Sequence, residues 1–179
     1  MVSHGAGKTY CCGSKSIVMT YTRSVQYLKF GLVALVASLM LSIAAVASAC
    51  PMSLPVLNVK VKDAELKLEI AATPERRKCG LSRRGTLPAD QGMLFVVPEP
   101  IMLDFWMTNT SLVLSIAFLD AAGHILSIQK MAPMQTKEHY RSPAPARYAI
   151  EVNQGWFDKH KVKVGEVIEL PLPMMLLVR

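Results

Sequence analysis

The residues best suited to binding a ligand lie in two stretches of the second half of the chain. They are Trp106, Asn109, Thr110, Tyr140, Arg141, Ser142, Arg147 and Glu151. An arginine guanidinium is a forked donor that suits a carboxylate or a phosphate, and a tryptophan offers a flat face for stacking. These residue types predict a site for a small anionic ligand or a partner segment. The structural alternative is that Arg147 pairs with an internal acid and Trp106 fills the core.

Residues that could carry catalysis are sparser. A hydrolytic triad needs a nucleophile, a base and an acid that orients the base. Only His124, His139 and His160 are available as bases after position 100. The sequence lacks the G-x-S-x-G, H-E-x-x-H, P-loop and dinucleotide-binding patterns. A thiol site of Cys79, His139 and Asn109 has little to support it, because basic neighbours of Cys79 are also expected on any exposed helix. These patterns favour a non-catalytic domain.

Methionine gives one further hypothesis about metal binding. Thioether sulfurs are soft ligands that suit Cu(I), and Met131 and Met134 lie close together in the sequence. The alternative is that these methionines pack in the core. Two cysteines alone do not make a zinc site, so no cofactor is predicted.

An uncharged stretch from residue 30 to residue 49 predicts a targeting segment. Arg23 and Lys29 precede it as a basic flank, and Ala47-Ser48-Ala49 is a small-x-small cleavage pattern. We interpret residues 19–49 as a signal peptide and residues 1–18 as a non-structural extension, with Met19 as the true start. The domain that follows is expected to be exported, to a periplasmic or extracellular location.

Cys50 directly follows the cleavage pattern and leaves three outcomes open. A small residue followed by cysteine is similar to the lipobox of bacterial lipoproteins, although Ala47 stands where leucine is usual. Ordinary cleavage, lipidation of Cys50 and an uncleaved membrane anchor are the alternatives. In an oxidising compartment Cys50 could instead form a disulfide with Cys79. If Cys50 is lipidated, Cys79 is left as a free thiol.

The formal charge of +7 overstates how basic the domain is. Four of the 20 basic residues precede Cys50 and no acidic residue does, so 16 basic and 13 acidic residues remain. The only dense basic run comprises Arg76, Arg77, Lys78, Arg83 and Arg84. We interpret it as a solvated helix face rather than a phosphate or nucleic-acid site. Nucleic acid is not a predicted partner, and membrane contact is expected through the signal segment or a lipid anchor.

Alternation of polar and apolar residues supplies most of the predicted elements. A turn at 62–64 joins the first two predicted strands, and Thr73 and Pro74 predict the start of a helix that reaches about Leu81. Pro98 and Pro100 are expected to end the third strand, and residues 131–145 are predicted to be a long loop. A helical turn is expected around residues 156–160. Strands are predicted at 56–61, 65–70, 92–97, 112–119, 124–131, 147–152 and 166–170.

Several short strands without a βαβ rhythm indicate one small all-β or mainly β domain, a sandwich or barrel with one or two short helices. The signal segment precedes this domain. Residues 50–55 are interpreted as a linker, 56–173 as the single β-rich domain and 174–179 as a tail.

Five phrases follow one another in the sequence: Cys79-Gly80-Leu81-Ser82-Arg83, Gly92-Met93-Leu94-Phe95, Phe105-Trp106-Met107-Thr108-Asn109-Thr110, Tyr140-Arg141-Ser142 and Pro145-Ala146-Arg147-Tyr148, followed by Gly155. In this order, they resemble the domain of unknown function 192 family, over residues 59–170. The resemblance implies a compact β-sandwich or barrel that is often exported and has no established activity.

The chain departs from the family pattern at two positions. Ser82 stands where the family usually has methionine, and Ser115 stands where it usually has an aspartate. If that aspartate forms part of a polar site, the site is altered here; the alternative is a change of packing in a buried strand. Taken together, we expect an exported envelope domain that binds a small ligand or an envelope partner. A hydrolase acting on envelope material and a structural envelope protein are the alternatives.

Overall fold

The computed structural model describes Cys50 and residues 53–172, all within the unit that begins at Cys50. The predicted extension, the signal peptide and the tail at 174–179 lie outside the described residues. Neither helix within the described part of the chain is long or apolar enough to cross a membrane.

A mixed six-stranded sheet forms the centre of the domain, which confirms the mainly β, sandwich- or barrel-like class. Its strand order is β1-β2-β3-β8-β5-β6, and β4 and β7 form a separate two-stranded ribbon. The elements of the described chain are β1 (Val56–Val61), β2 (Ala64–Ala71), α1 (Pro74–Cys79), β3 (Gln91–Ile101), β4 (Asp104–Phe105), β5 (Leu114–Leu119), β6 (Ile125–Met131), β7 (Tyr140–Arg141), β8 (Ala146–Asn153) and α2 (Trp156–Lys159).

One pair of strands is parallel, which the sequence analysis did not expect. Strand β2 pairs with β3 in parallel, and α1 lies in the crossover between them. The Thr73 hydroxyl accepts a hydrogen bond from the backbone N–H of Arg76 at 3.4 Å and caps the helix. Helix α1 ends at Cys79, before the predicted Leu81, because Gly80 adopts a positive φ of 51°. Strand β2, helix α1 and strand β3 therefore form a βαβ unit, although the sequence shows no repeating βαβ rhythm.

Both faces of the sheet are covered by apolar clusters. Successive side chains of a strand point to opposite faces, so β8 sends Ile150 and Val152 to one face and Ala149 to the other. The first face packs against α2 and the segment around Ile168. The second face packs against Leu81 and against the segments that flank β4 and β7. We refer to these as the first and second faces.

Two predicted strand boundaries are corrected. Strand β3 continues past Pro98 and Pro100 to Ile101. Its register with β8 shifts between Val96 and Ile101. Because the regular hydrogen-bond ladder is interrupted there, the missing backbone N–H groups of the two prolines are tolerated.

The predicted last strand at 166–170 is reduced to one isolated bridge between His124 and Val167. Its backbone crosses the turn that follows β5: Ile168 N–H donates to the carbonyl of Gly123 at 3.0 Å. A Cβ atom at Gly123 would meet the Ile168 carbonyl oxygen, so this crossing requires glycine. The predicted loop at 131–145 also contains the short strand β7.

Candidate functional site

The ribbon of β4 and β7 is fastened to the second face by buried side chains. The ring of Phe105 packs edge-on against Phe95 and Phe118, with centroid separations of 4.9 and 5.7 Å. The buried Tyr140 hydroxyl accepts a hydrogen bond from the backbone N–H of Ala132 at 2.8 Å. The buried Ser142 hydroxyl accepts one from the backbone N–H of Leu103, directly before β4, at 2.9 Å. The ribbon is therefore a fixed platform rather than a free hairpin.

Four side chains meet on the outer side of this platform, and we call them the ribbon cluster: Asp104, Trp106, His139 and Arg141. One carboxylate oxygen of Asp104 lies 2.8 Å from Nδ1 of His139. The other accepts a hydrogen bond from Nε of Arg141 at 3.1 Å. The Trp106 and His139 rings lie 5.7 Å apart, tilted by 54°. Asp104 thus holds two side chains in place: His139, whose ring contacts Trp106, and Arg141.

The electrostatics of the ribbon cluster keep Asp104 ionised. Partial burial acts to raise the pKa of Asp104, but the hydrogen bonds from His139 and Arg141 outweigh it and hold this pKa below its ordinary value. The Arg141 side chain is 68% exposed and uses only Nε toward Asp104 within the described residues. Its two terminal amino groups therefore remain available to an anion.

Asn109 and Thr110 form the turn that leaves the ribbon. Asn109 has a positive φ of 56°, a conformation that asparagine tolerates better than most residues. Its backbone carbonyl accepts a hydrogen bond from the N–H of Arg83 at 2.8 Å. Thr110 is buried, and its carbonyl accepts one from Met134 N–H at 2.9 Å. Both residues therefore tie neighbouring segments together.

Arg147 and Glu151 lie on β8, away from the ribbon cluster's outer side. They are four residues apart, so both point toward the second face. The Nε atom of Arg147 is buried and, among the described residues, has no hydrogen-bond partner. No ion pair joins it to an acid in the described part of the chain. The alternative in which Arg147 is paired internally is therefore not what the described residues show.

Glu151 is a buried carboxyl group without a visible donor. It is 6% exposed, and its neighbours across the sheet are Met93 and Ile116. Across Cys50 and residues 53–172, no group donates a hydrogen bond to its side chain. Burial raises the pKa of Glu151 to about 8, so it is protonated at neutral pH.

The remaining predicted residues are separated in the structure. Met131 is buried in the second-face cluster, whereas Met134 is exposed, with a positive φ of 57°. No group of three or more His, Cys, Asp or Glu side chains could hold a metal ion within the described ranges. Ser115 is buried in β5, with Val152 as its partner in β8.

Cys50 and Cys79 are joined by a disulfide, with their Cα atoms 5.7 Å apart. Lipidation of Cys50, the other predicted outcome, would use the same sulfur atom and therefore stays a separate prediction.

Two members of the ribbon cluster were not in the predicted site. Asp104 lacked a sequence signal, because a two-residue strand has no periodicity from which a pairing can be predicted. His139 was considered only as a catalytic base, and its contact with Trp106 depends on the pairing of β4 with β7. The structure brings Trp106, Tyr140 and Arg141 together on one ribbon and leaves Arg147 and Glu151 in the layer beneath the covering segments.

Comparison with known proteins now places this architecture in a family. The model of the domain of unknown function 192 family, described as "Uncharacterized ACR", matches residues 57–170. The chain belongs to this family. None of the curated proteins compared with the chain matches it.

Five solved chains match the structure. One is a protein from Sinorhizobium meliloti 1021, provisionally described as a transcription regulator. It is 29% identical, with a TM-score of 0.59, and the match covers 63% of this chain and 90% of that one. Another is a protein of unknown function from Novosphingobium aromaticivorans DSM 12444. It is 26% identical, with a TM-score of 0.60, and the match covers 70% of this chain and 94% of that one. These neighbours support the fold and establish no specific role.

Proposed function

We propose that this protein is an exported accessory domain of the cell envelope that binds a small anionic ligand carrying a ring, such as an acidic sugar. One observation carries the proposal: Trp106 is 54% exposed yet packs against His139, and Asp104 binds both His139 and Arg141. A single exposed tryptophan does not by itself indicate a binding site. Trp106, however, packs against His139, which is itself hydrogen-bonded to Asp104, so the indole ring is preorganised. Preorganisation reduces the entropy lost on binding.

The ribbon cluster offers two complementary contacts to such a ligand. The exposed face of Trp106 can stack on the apolar side of a ring. The free terminal N–H groups of Arg141 can donate two parallel hydrogen bonds to a carboxylate. Asp104 accepts a hydrogen bond from Nε only, so its negative charge orients the guanidinium without using the terminal donors.

A hydrolase is less well supported by the same residues. Asp104 and His139 form the acid–base half of a triad at 2.8 Å. Among the described residues, however, no Ser, Thr or Cys side chain is hydrogen-bonded to His139, and a nucleophile is the third requirement. The arrangement therefore favours a role for His139 in packing against Trp106 rather than as a catalytic base.

Tryptophan fluorescence can test the binding proposal because the chain has two tryptophans, of which Trp156 is buried. We expect oligogalacturonate to change the emission of the wild-type protein, and the uncharged galactose oligomer to change it much less. Arg141→Gln should weaken oligogalacturonate binding about tenfold or more, since a hydrogen bond to a charged group contributes about 1.5–3 kcal/mol. Trp106→Phe should abolish the fluorescence response.

The control for this titration is Trp156→Phe, which leaves Trp106 as the only tryptophan. A response that survives in Trp106→Phe but disappears in Trp156→Phe would overturn the proposed site. Export is tested separately: the intact mass of the protein recovered from cells should show loss of residues 1–49. A mass that retains this segment would indicate an anchor, and an added acyl mass on Cys50 would indicate a lipoprotein.

A further inference from the structure

A cleft of about 240 Å³ lies beside helix α1, on a part of the domain that the ribbon cluster does not use. Its lining residues include Cys50, Cys79, Arg76, Arg83 and Arg84. Because Cys50 and Cys79 form a disulfide, the start of the described domain is fixed at the wall of this cleft. Three arginines of the basic run therefore line the cleft at which the described chain enters the domain, and Lys78 is exposed on α1.

Two arginines of this run are already used within the fold. Arg77 turns inward and donates through one terminal nitrogen to the carbonyls of Ala72 and Val96, at 2.5 and 2.9 Å. Arg84 forms a two-pronged ion pair with Glu69, at 2.6 and 2.7 Å. The charge of Arg84 is neutralised by Glu69, and the guanidinium of Arg77 is held inward by backbone carbonyls, so neither is free to bind an outside partner.

Three basic side chains remain without an acidic partner in the described part of the chain: Arg76, Lys78 and Arg83. Arg83 is exposed and has a positive φ of 62°, a conformation that residues other than glycine rarely adopt. It is held there by the hydrogen bond from its N–H to the Asn109 carbonyl. Glu75 is the only acid within α1, so the surface stays positive.

The sequence indicates which anionic partner meets this surface. Residues 30–49 contain no charged residue and end immediately before Cys50. Export through this stretch brings Cys50 and the cleft to a membrane, and basic residues beside a membrane are attracted to anionic headgroups. We propose that Arg76, Lys78 and Arg83, which we call the basic rim, bind the surface of an anionic phospholipid bilayer. Their charge complements the lipid phosphates, and the chain leaves the domain beside them.

Vesicle sedimentation of the mature chain, which begins at Cys50, tests the basic rim. The measured quantity is the preference for anionic over neutral vesicles. The vesicles are phosphatidylcholine alone or with about 30% phosphatidylglycerol, in about 0.1 M NaCl. Each basic residue at an anionic surface should contribute roughly fivefold, so the wild type should prefer anionic vesicles by roughly 100-fold. The preference should fall as salt increases.

The decisive variant is Arg76→Gln with Lys78→Gln and Arg83→Gln, which should remove most of this preference. The matched control changes Lys60, Lys159 and Lys163 to Gln: it removes the same charge from lysines that lie in no ion pair within the described residues, and it should keep the preference. A second variant, Arg76→Lys with Arg83→Lys, retains the charge and should also keep it, which separates loss of charge from loss of folding.

Four outcomes would overturn the proposal. The first is an equal affinity of the wild type for both kinds of vesicle, and the second is an equal loss of the anionic preference in the rim variant and the lysine control. The third is complete displacement of the protein from anionic vesicles by millimolar inorganic phosphate. The fourth is rim-dependent binding to a short DNA duplex that is tighter than binding to the vesicles. Competition by phosphate would indicate a site for a free anion, and DNA binding would indicate a nucleic-acid surface. Since Trp106 and Arg141 are unchanged throughout, these outcomes leave the ligand proposal for the ribbon cluster unaffected.

Discussion

The domain contains two groups that each include a tryptophan, a histidine and an aspartate. The two groups differ in the hydrogen bonds that their polar atoms form. At α2, the indole N–H of Trp156 donates to Asp90 at 3.0 Å, and the ring lies 4.5 Å from that of His160. Trp156 is 4% exposed and belongs to the first-face cluster. In the ribbon cluster, Asp104 contacts His139 and Arg141 instead, and the indole N–H of Trp106 has no acceptor among the described residues.

The difference shows that residue type alone does not determine whether such a group is buried with its polar atoms satisfied or exposed at the surface. The α2 group is closed, because its tryptophan is buried and its N–H is satisfied inside the fold. The ribbon cluster is open, because its tryptophan face and two arginine donors are exposed. The same contrast extends to the two faces of the sheet: the buried carboxyl of Glu151 and the buried Nε atom of Arg147 lie on the second face.

The largest expected effect comes from truncating the two tryptophans. Trp156→Ala should lower the free energy of unfolding by about 3–5 kcal/mol, because it leaves a cavity in the first-face cluster. Trp106→Ala should lower it by less than about 1 kcal/mol, since half of its surface is already exposed. Urea denaturation of both variants measures the two values. Equal losses would mean that the ribbon cluster is as structural as the α2 group.

Glu151 should make the stability of the fold depend on pH. The unfolded chain ionises this carboxyl near its ordinary pKa of 4.5, whereas the folded chain retains the proton up to a pKa of about 8. Between these values the folded state binds more protons, so the free energy of unfolding should fall as pH rises, by about 1.4 kcal/mol per pH unit. From pH 5.5 to 7.5 the loss should be about 3 kcal/mol.

The matched variant for this prediction is Glu151→Gln, which keeps the shape of the side chain and cannot ionise. Its stability should be nearly flat over the same range and should exceed that of the wild type at pH 7.5. Denaturation curves at several pH values measure both. A wild type as flat as Glu151→Gln would show that the carboxyl ionises freely and is not desolvated on the second face.

Removing the two aspartates should give a smaller contrast. Asp90→Ala leaves the Trp156 N–H without its acceptor and should cost about 1–2 kcal/mol of stability. Asp104→Ala breaks contacts that are largely exposed and should cost less than about 1 kcal/mol. Its main effect should be on ligand binding, because His139 and Arg141 lose their common partner. A larger stability loss for Asp104→Ala than for Asp90→Ala would reverse the assignment of the two groups.

The smallest expected change in free energy accompanies a clear optical change. Trp106→Phe should alter stability by no more than about 0.5 kcal/mol. It should nevertheless remove most of the quenching of the fluorescence by acrylamide, because Trp156 is shielded. Quenching that persists unchanged in Trp106→Phe would place the exposed indole at α2 instead.

The sequence predicted most of the fold because its main signals are local. Alternation in residues 56–61 and 65–70 requires only that one side of each strand be buried, and the helix start at Thr73 depends on residues within one turn. The parallel pairing of β2 with β3 was not predicted, since it depends on contacts between residues more than 20 positions apart. The apolar strand signal also gave no indication that β3 would continue through its prolines.

The candidate site was predictable in part. Trp106 and Arg141 are suited to binding by their chemistry, and the structure places both on one ribbon. Which acid would orient Arg141 depended on the register of β4 with β7, where Asp104 lies opposite Arg141. No local pattern carries that information. Burial of Glu151 follows from its central strand, but the lack of a donor beside it follows from the packing of three separate segments.

The position of β8 has a consequence for how the chain matures. This strand lies between β3 and β5 in the sheet, yet it is the last of the described strands to be synthesised. Until it emerges, the earlier strands can form only two separate pieces, β1-β2-β3 and β5-β6, each with an open edge. A chain that is still being made therefore lacks the strand that joins its halves. Any process that must act on an unfolded chain, such as passage through a narrow translocation channel, would have time to begin before the sheet can close.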